Sequence, residues 1–182
     1  MKPIREMTIG EFGAFVSDHL KKHEIGVVLS GGSCVSIYSH NRYQSFDLDF
    51  IGDHGAERKK IKQALMILGF SEKNKYFTHP ESEYFIEFPS GPLAVGGESV
   101  KEVVELTFST GKLRLLSPTE CVKDRLAAYY YWQDRQCLEQ AILVAAENQI
   151  DFGEIERWSK KEGMIEEYRK ILNVLTGGSA TS

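Results

Sequence analysis

Between Gly26 and Gly52 the chain reads GVVLSGGSCVSIYSHNRYQSFDLDFIG. This stretch limits the fold more than any other. Ile25 to Ser30 is a short, valine-rich apolar run, which predicts a buried strand. Gly31 and Gly32 break it, and Ser33 to about Ser39 reads as a short helix. From Phe46 to Ile51 the residues alternate, with Phe46, Leu48 and Phe50 against Asp47, Asp49 and Ile51. A period of two predicts a second strand with both aspartates on one face. The whole stretch uses fewer residues than a βαβ crossover needs.

The chemistry follows from that placement. Aspartates at i and i+2 of a strand are rooted about 7 Å apart. They repel each other unless a cation lies between them. Carboxylate oxygens suit Mg²⁺, which usually reaches a protein together with phosphates. A glycine turn that opens a helix presents backbone N–H groups to an anion and lets it come close. Ser33 adds a hydroxyl donor. No Lys-Ser/Thr pair follows the glycines and no GxGxxG is present, so neither a P-loop nor a dinucleotide fingerprint is spelled out. Each piece alone has an ordinary alternative, a polar surface strand or a plain strand-to-helix turn; their order is what points to phosphoryl or nucleotidyl transfer. A third carboxylate on a neighbouring strand would complete the set. Glu87, a lone acid within Tyr84–Phe88, is the first candidate, and Glu105 within Val103–Leu106 is its rival.

Elsewhere the pattern is mixed. Thr8 and Glu11 form a capping-box pair before a helix carrying Ile9, Phe12, Phe15, Val16 and Leu20. Glu57 to Leu68 predicts an amphipathic helix with Gly69 as its C-cap. Extended pieces follow at Tyr76–His79, Glu83–Phe88, Val100–Phe108 and Lys112–Leu116. Ser117-Pro118-Thr119-Glu120 then supplies an N-cap, a proline at the first helical position and a capping-box acid. From there to about Leu175 the chain reads as helical, as one long or two closely spaced helices to Asn148 and then two more. The expected division is an α/β core at 1–116, a helical subdomain at 117–176 and a disordered tail at 177–182.

Composition narrows the class. In 182 residues, 42% are hydrophobic and 26% charged, enough for a core without disulfides. The net charge of −4 argues against a protein that wraps duplex nucleic acid. Three cysteines without CxxC spacing argue against a zinc or disulfide framework and suit the cytoplasm. No secretory h-region and no membrane-length apolar run is visible. His19 and His23, at helical spacing, read as a solvated face rather than a metal site. Tyr129-Tyr130-Tyr131-Trp132 points to several sides of a helix, so core packing is expected of it before base stacking.

Taken together, Gly31, Gly32, Ser33, Arg42, Ser45, Asp47, Leu48, Asp49 and Phe50 resemble the signature of the nucleotidyltransferase fold shared with DNA polymerase β. They are most similar to that of the AbiEii-type abortive-infection proteins. The likeness covers residues 25–52 and extends more weakly into the helix after Ser117, where Lys123 takes the first position of a helical motif and Asp134 stands near its acid. The resemblance implies an α+β fold, a mixed sheet with flanking helices followed by a C-terminal helical bundle. It implies that Asp47, Asp49 and Glu87 bind Mg²⁺ or Mn²⁺, with Glu87 also activating an acceptor hydroxyl. Gly31, Gly32, Ser33, Arg42, Ser45 and Lys123 would hold a nucleoside triphosphate. The acceptor would be an RNA such as tRNA, a protein or a small molecule, and a toxin–antitoxin or phage-defence role would bring an antitoxin partner. A non-catalytic nucleotide- or protein-binding member of the same fold is the alternative.

Overall fold

The structure, a computed structural model, describes residues 2–53 and 56–178. His54 and positions 179–182 of the expected tail lie outside the described residues. A 3-10 turn at Ile4–Glu6 leads into α1 (Ile9–Lys22). The capping box forms: Glu11 N donates to Thr8 Oγ1 at 3.3 Å, and Thr8 N donates to Glu11 Oε2 at 2.9 Å. Next come β1 (Val27–Ser30), α2 (Gly31–Tyr38), β2 (Asp47–Gly52) and α3 (Arg58–Ile67). Seven strands follow: β3 (Ser71–Lys73), β4 (Tyr76–Thr78), β5 (Phe85–Glu87), β6 (Ala94–Val95), β7 (Glu98–Ser99), β8 (Val103–Phe108) and β9 (Gly111–Leu116). Sequence periodicity misses β3 and the β6–β7 hairpin, because two or three residues are too few to show a period.

The main sheet has seven strands in the order β3-β4-β5-β2-β1-β9-β8. It is mixed: β2 runs parallel to β5 and β1 parallel to β9, while the other neighbours are antiparallel. One face of β2 and β5 carries Leu48, Phe50 and Ile86, all fully buried. With Phe12, Val16, Leu20, Leu113 and Leu115 they form the core, and α1 lies against β9 and β1. Burial of each such side chain contributes about 1.5–3 kcal/mol. The opposite face of β2 is therefore left for Asp47 and Asp49.

Ser117 begins the helical half as expected. Its hydroxyl accepts from Glu120 N at 3.2 Å, and Pro118 is the first residue of α4 (Pro118–Trp132). Gln133 takes the left-handed conformation (φ 53°) and ends α4, so two helices form rather than one. Asp134 accepts from Gln136 N and Cys137 N as the N-cap of α5 (Arg135–Glu147). Its carboxylate is thereby a local cap and not the acid of a binding motif. Two further helices, α6 (Phe152–Lys161) and α7 (Ile165–Leu175), close a four-helix arrangement in which α4 meets α5 and α6, and α7 meets both of those. α4 and α5 also pack on α2, which ties the helices to the glycine turn. Tyr130 is the member of the aromatic run that enters the core, stacked on Trp158 at 5.8 Å, whereas Trp132 is 82% exposed. Among the described residues no helix is long and apolar enough to cross a membrane.

Candidate active site

Register brings the acids together. Ser30 of β1 pairs with Asp49, and Asp49 pairs with Glu87 of β5. Asp47 pairs with Phe85, so Asp47, Asp49 and Glu87 share one face of adjacent strands. Ser45 Oγ donates to Asp47 Oδ1 at 2.6 Å and fixes that carboxylate. Ser45 is itself held by its backbone N–H, which donates to Ser36 Oγ of α2 at 2.8 Å. Burial raises the Asp49 carboxyl from 3.8 to about 6, with Asp47 and then Glu87 adding repulsion and Arg125 opposing it. Lys75 Nζ lies 2.9 Å from Glu87 Oε1. Among the described residues no three His, Cys, Asp or Glu side chains stand together as a finished ligand cluster. The donor set is nonetheless all oxygen, as Mg²⁺ requires. A cation at Asp47 and Asp49 would offset both the burial and the repulsion that lift Asp49, so the residues present fit the ion.

The glycine turn abuts the same carboxylate. Gly31 has φ +70°, and a Cβ there would stand 2.5 Å from Asp49 Oδ2. Both conformation and closeness therefore demand glycine. Gly32 opens toward Ser45 and Tyr43, whose nearest atoms would lie 3.3–3.4 Å from an added Cβ. Ser33 behaves differently from the expectation. It is fully buried, and its hydroxyl donates to Ser30 O at 3.0 Å inside the first turn of α2. The turn thus offers a ligand its backbone and not the Ser33 side chain.

Two basic residues also stand elsewhere than expected. Lys123 is 1% exposed, with Nζ 3.0 Å from Glu120 Oε1 and 3.2 Å from Glu154 Oε1. It lies beneath α6, near the Trp158 ring, in a cluster where Lys101 and Arg157 also meet Glu154 and Glu98. A lysine so enclosed cannot reach a triphosphate without breaking buried ion pairs, so the expected contact is corrected to a structural one. Arg42 is exposed and pairs with Glu147 at 2.8 Å, on the α5 side of its loop. Glu105, the rival third acid, is on the edge strand β8, separated from β2 by β1 and β9, and pairs with Lys112 and Lys21.

Besides Lys75 at Glu87, the charge of Arg125, two residues beyond Lys123, bears on Asp49. Its guanidinium is held by Asp124 and Gln140 and acts on Asp49 and Tyr43. No sequence pattern links Arg125 to Gln140, because they lie on separate helices. The one local signal was the charge pair Asp124-Arg125 beside the lysine of the helical motif.

No protein-family profile matches the chain, and no curated protein matches it significantly. Among solved structures it is similar to an antigenic nucleotidyltransferase-like protein from Paracoccidioides brasiliensis, at TM-score 0.63 and 13% identity over 97% of this chain and 96% of that one. Antibiotic-resistance factor ANT(2'')-Ia is more distant, at TM-score 0.48 for its solution structure, with 12% identity over 90% of this chain and 92% of that one. Its crystal structure with adenylyl-2''-tobramycin gives TM-score 0.49, with 13% identity over 85% and 93%. The first likeness, with the mixed sheet and the helices that follow it, establishes the nucleotidyltransferase fold.

Proposed function

We propose that this chain is a metal-dependent nucleotidyltransferase that moves a nucleoside monophosphate from a nucleoside triphosphate to an acceptor hydroxyl. The observation that carries the reading is the register of Asp49 with Glu87, on a face that touches Gly31. Asp47 and Asp49 would hold Mg²⁺ or Mn²⁺, which when bound supplies the positive charge that a reacting triphosphate needs. The turn at Gly31 and Gly32 seats phosphate oxygens on backbone N–H groups. Ser45 keeps Asp47 in place. Glu87 accepts the proton of the acceptor hydroxyl as its oxygen bonds to the α-phosphorus and pyrophosphate leaves. Lys75, bonded to Glu87, would release it when the acceptor arrives.

The acceptor in this reading is an RNA end such as that of tRNA, with a protein or small molecule as the competing classes. The likeness of Gly31–Phe50 to AbiEii-type sequences supports a toxin role with an antitoxin partner. A second reading, a nucleotide-binding protein without turnover, is favoured by the Lys75–Glu87 pair, which occupies the third acid. Transfer of label from each α-³²P nucleoside triphosphate to pooled RNA and protein separates the two. Incorporation that Asp47→Asn abolishes supports the transferase. Metal-dependent nucleotide binding without any incorporation supports the second reading.

A further inference from the structure

The register that joins the site acids continues to the edge of the sheet. Lys73 of β3 pairs with Tyr76 of β4, Tyr76 with Glu87 of β5, Glu87 with Asp49 of β2, and Asp49 with Ser30 of β1. Directly paired residues share a face, so these residues stand in one row. The neighbouring row on that face is Ser71, Thr78, Phe85 and Asp47. At the β1 end the first row meets the glycine turn, and at the other end it runs out onto Tyr76 and Lys73. The rings of Tyr76 and Phe85 meet edge to face at 5.0 Å and stay half-buried, while Lys73 is exposed. β3 and β4 add no acid to this face: Glu72 alternates to the other one, where Arg58 and Lys62 hold it. Lys75 follows Asn74, which takes the left-handed conformation (φ 57°) at the β3–β4 turn, and Arg58 Nη2 donates to the Lys75 carbonyl at 3.1 Å. The Lys75 ammonium rests 4.9 Å from the centroid of the Tyr76 ring and 2.9 Å from Glu87 Oε1. Its side chain is 60% exposed, so the ammonium can leave Glu87 without unpacking the fold.

We propose that Tyr76, Phe85, Lys75 and Lys73 form the seat of the acceptor, and that the seat takes the end of a single-stranded RNA. The inference rests on the transferase reading and adds to it the acceptor's place and chemistry. In-line displacement requires the acceptor oxygen on the side of the α-phosphorus away from the departing pyrophosphate. With phosphates on the turn after β1, and Asp47 and Asp49 next to it, that side is β5 and β4. A terminal base of any identity can stack on an aromatic ring there. Lys75 decides between acceptor classes. Glu87 can take the acceptor's proton only once the ammonium lets go, and a phosphodiester supplies the negative charge that draws it off. A neutral or cationic acceptor carries no such charge. The net charge of −4 confines the contact to a strand end rather than a long groove.

The test measures binding of a fluorescein-labelled single-stranded oligoribonucleotide with a free 3′ hydroxyl to the full chain, by anisotropy over a range of salt concentrations. Tyr76→Leu removes the ring but keeps an apolar side chain, and should weaken binding about ten- to a hundredfold. Lys75→Gln and Lys73→Gln should each flatten the slope of log affinity against log salt by about 0.7, the share of one phosphate contact on a single strand. Both lysines are exposed, so these variants carry the test even if Tyr76→Leu fails to fold. A wild type that does not bind the oligoribonucleotide, or variants that keep its affinity and salt slope, overturn the inference while the functional reading stands. Label that passes from a nucleoside triphosphate to protein and not to RNA does the same. A wild type that binds no triphosphate with metal, read separately by calorimetry, overturns the functional reading and this inference with it.

Discussion

Among the described residues, two clusters of carboxylates are built on opposite terms. Glu98, Glu120 and Glu154 meet Lys101, Lys123, Arg157 and Lys161, so nearly every oxygen has a cation. Arg157, Lys161 and Lys101 hold Glu98 down at about 2, and Glu154 is likewise well below the usual carboxylate range. Asp47, Asp49 and Glu87 share a strand face with less compensation, and Asp49 is lifted to about 6. Paired acids stabilise a fold and crowded acids cost it stability. A protein keeps the second kind where something else is meant to neutralise them. The contrast also shows why a lysine beside a motif can mislead: Lys123 serves the paired cluster, not the crowded one.

The sharpest way to break this comparison is to neutralise one crowded acid. Asp49→Asn should cut transfer at least about a hundredfold, in line with removal of a charge-stabilising group. The metal-free protein should at the same time resist urea better near pH 7, by on the order of 1 kcal/mol or more. Loss of both activity and stability would mean that Asp49 is structural. Lys123→Met should do the reverse. It leaves Glu120 and Glu154 without their buried partner, which costs about 3–5 kcal/mol. If the folded fraction is recovered at low temperature, its affinity for nucleotide should match the wild type.

A stability profile against pH separates the clusters by sign. Glu98 has a folded value below its usual 4.5, so its contribution is fully present above that value and drains away as pH falls toward about 2. Asp49 has a folded value above its usual 3.8, so it takes stability away as pH rises from there to about 6. Asp49→Asn should flatten the upper limb and leave the lower one, read by urea midpoints across that range. Equal flattening of both limbs would merge the two clusters into one. The smallest effect belongs to Arg42. Its exposed pair with Glu147 is worth about 1 kcal/mol or less, so Arg42→Ala should shift the urea midpoint little and leave transfer near wild type.

Local signals carried much of the fold. The Thr8 box, the valine run before Gly31, the alternation from Phe46 and the Ser117-Pro118 start all mark elements within one or two residues of where they form. Glu87 is marked in the sequence only as a lone acid in an apolar strand, and it stands in register with Asp49. What the sequence withheld depends on how elements meet. Ser33 looks like a donor until its hydroxyl turns back to Ser30, a choice made by the geometry of one helical turn. Lys123 and Arg125 are two positions apart, so they point to different sides of α4, and only the packing of α6 decides which is enclosed. Arg125 and Gln140 come together across the α4–α5 seam, which no periodicity records.

The pairing of β2 with β5 has a further consequence in time. Parallel strands cannot be closed by a tight turn, and here the connection contains α3, β3 and β4. The contact of Asp49 with Glu87 is thus one of high contact order, whereas Ser30 meets Asp49 across a much shorter loop. In a refolding chain the two aspartates and the glycine turn can assemble early as a local unit. The third acid arrives only once that long loop has closed, so ion affinity should mature later than secondary structure as the protein folds.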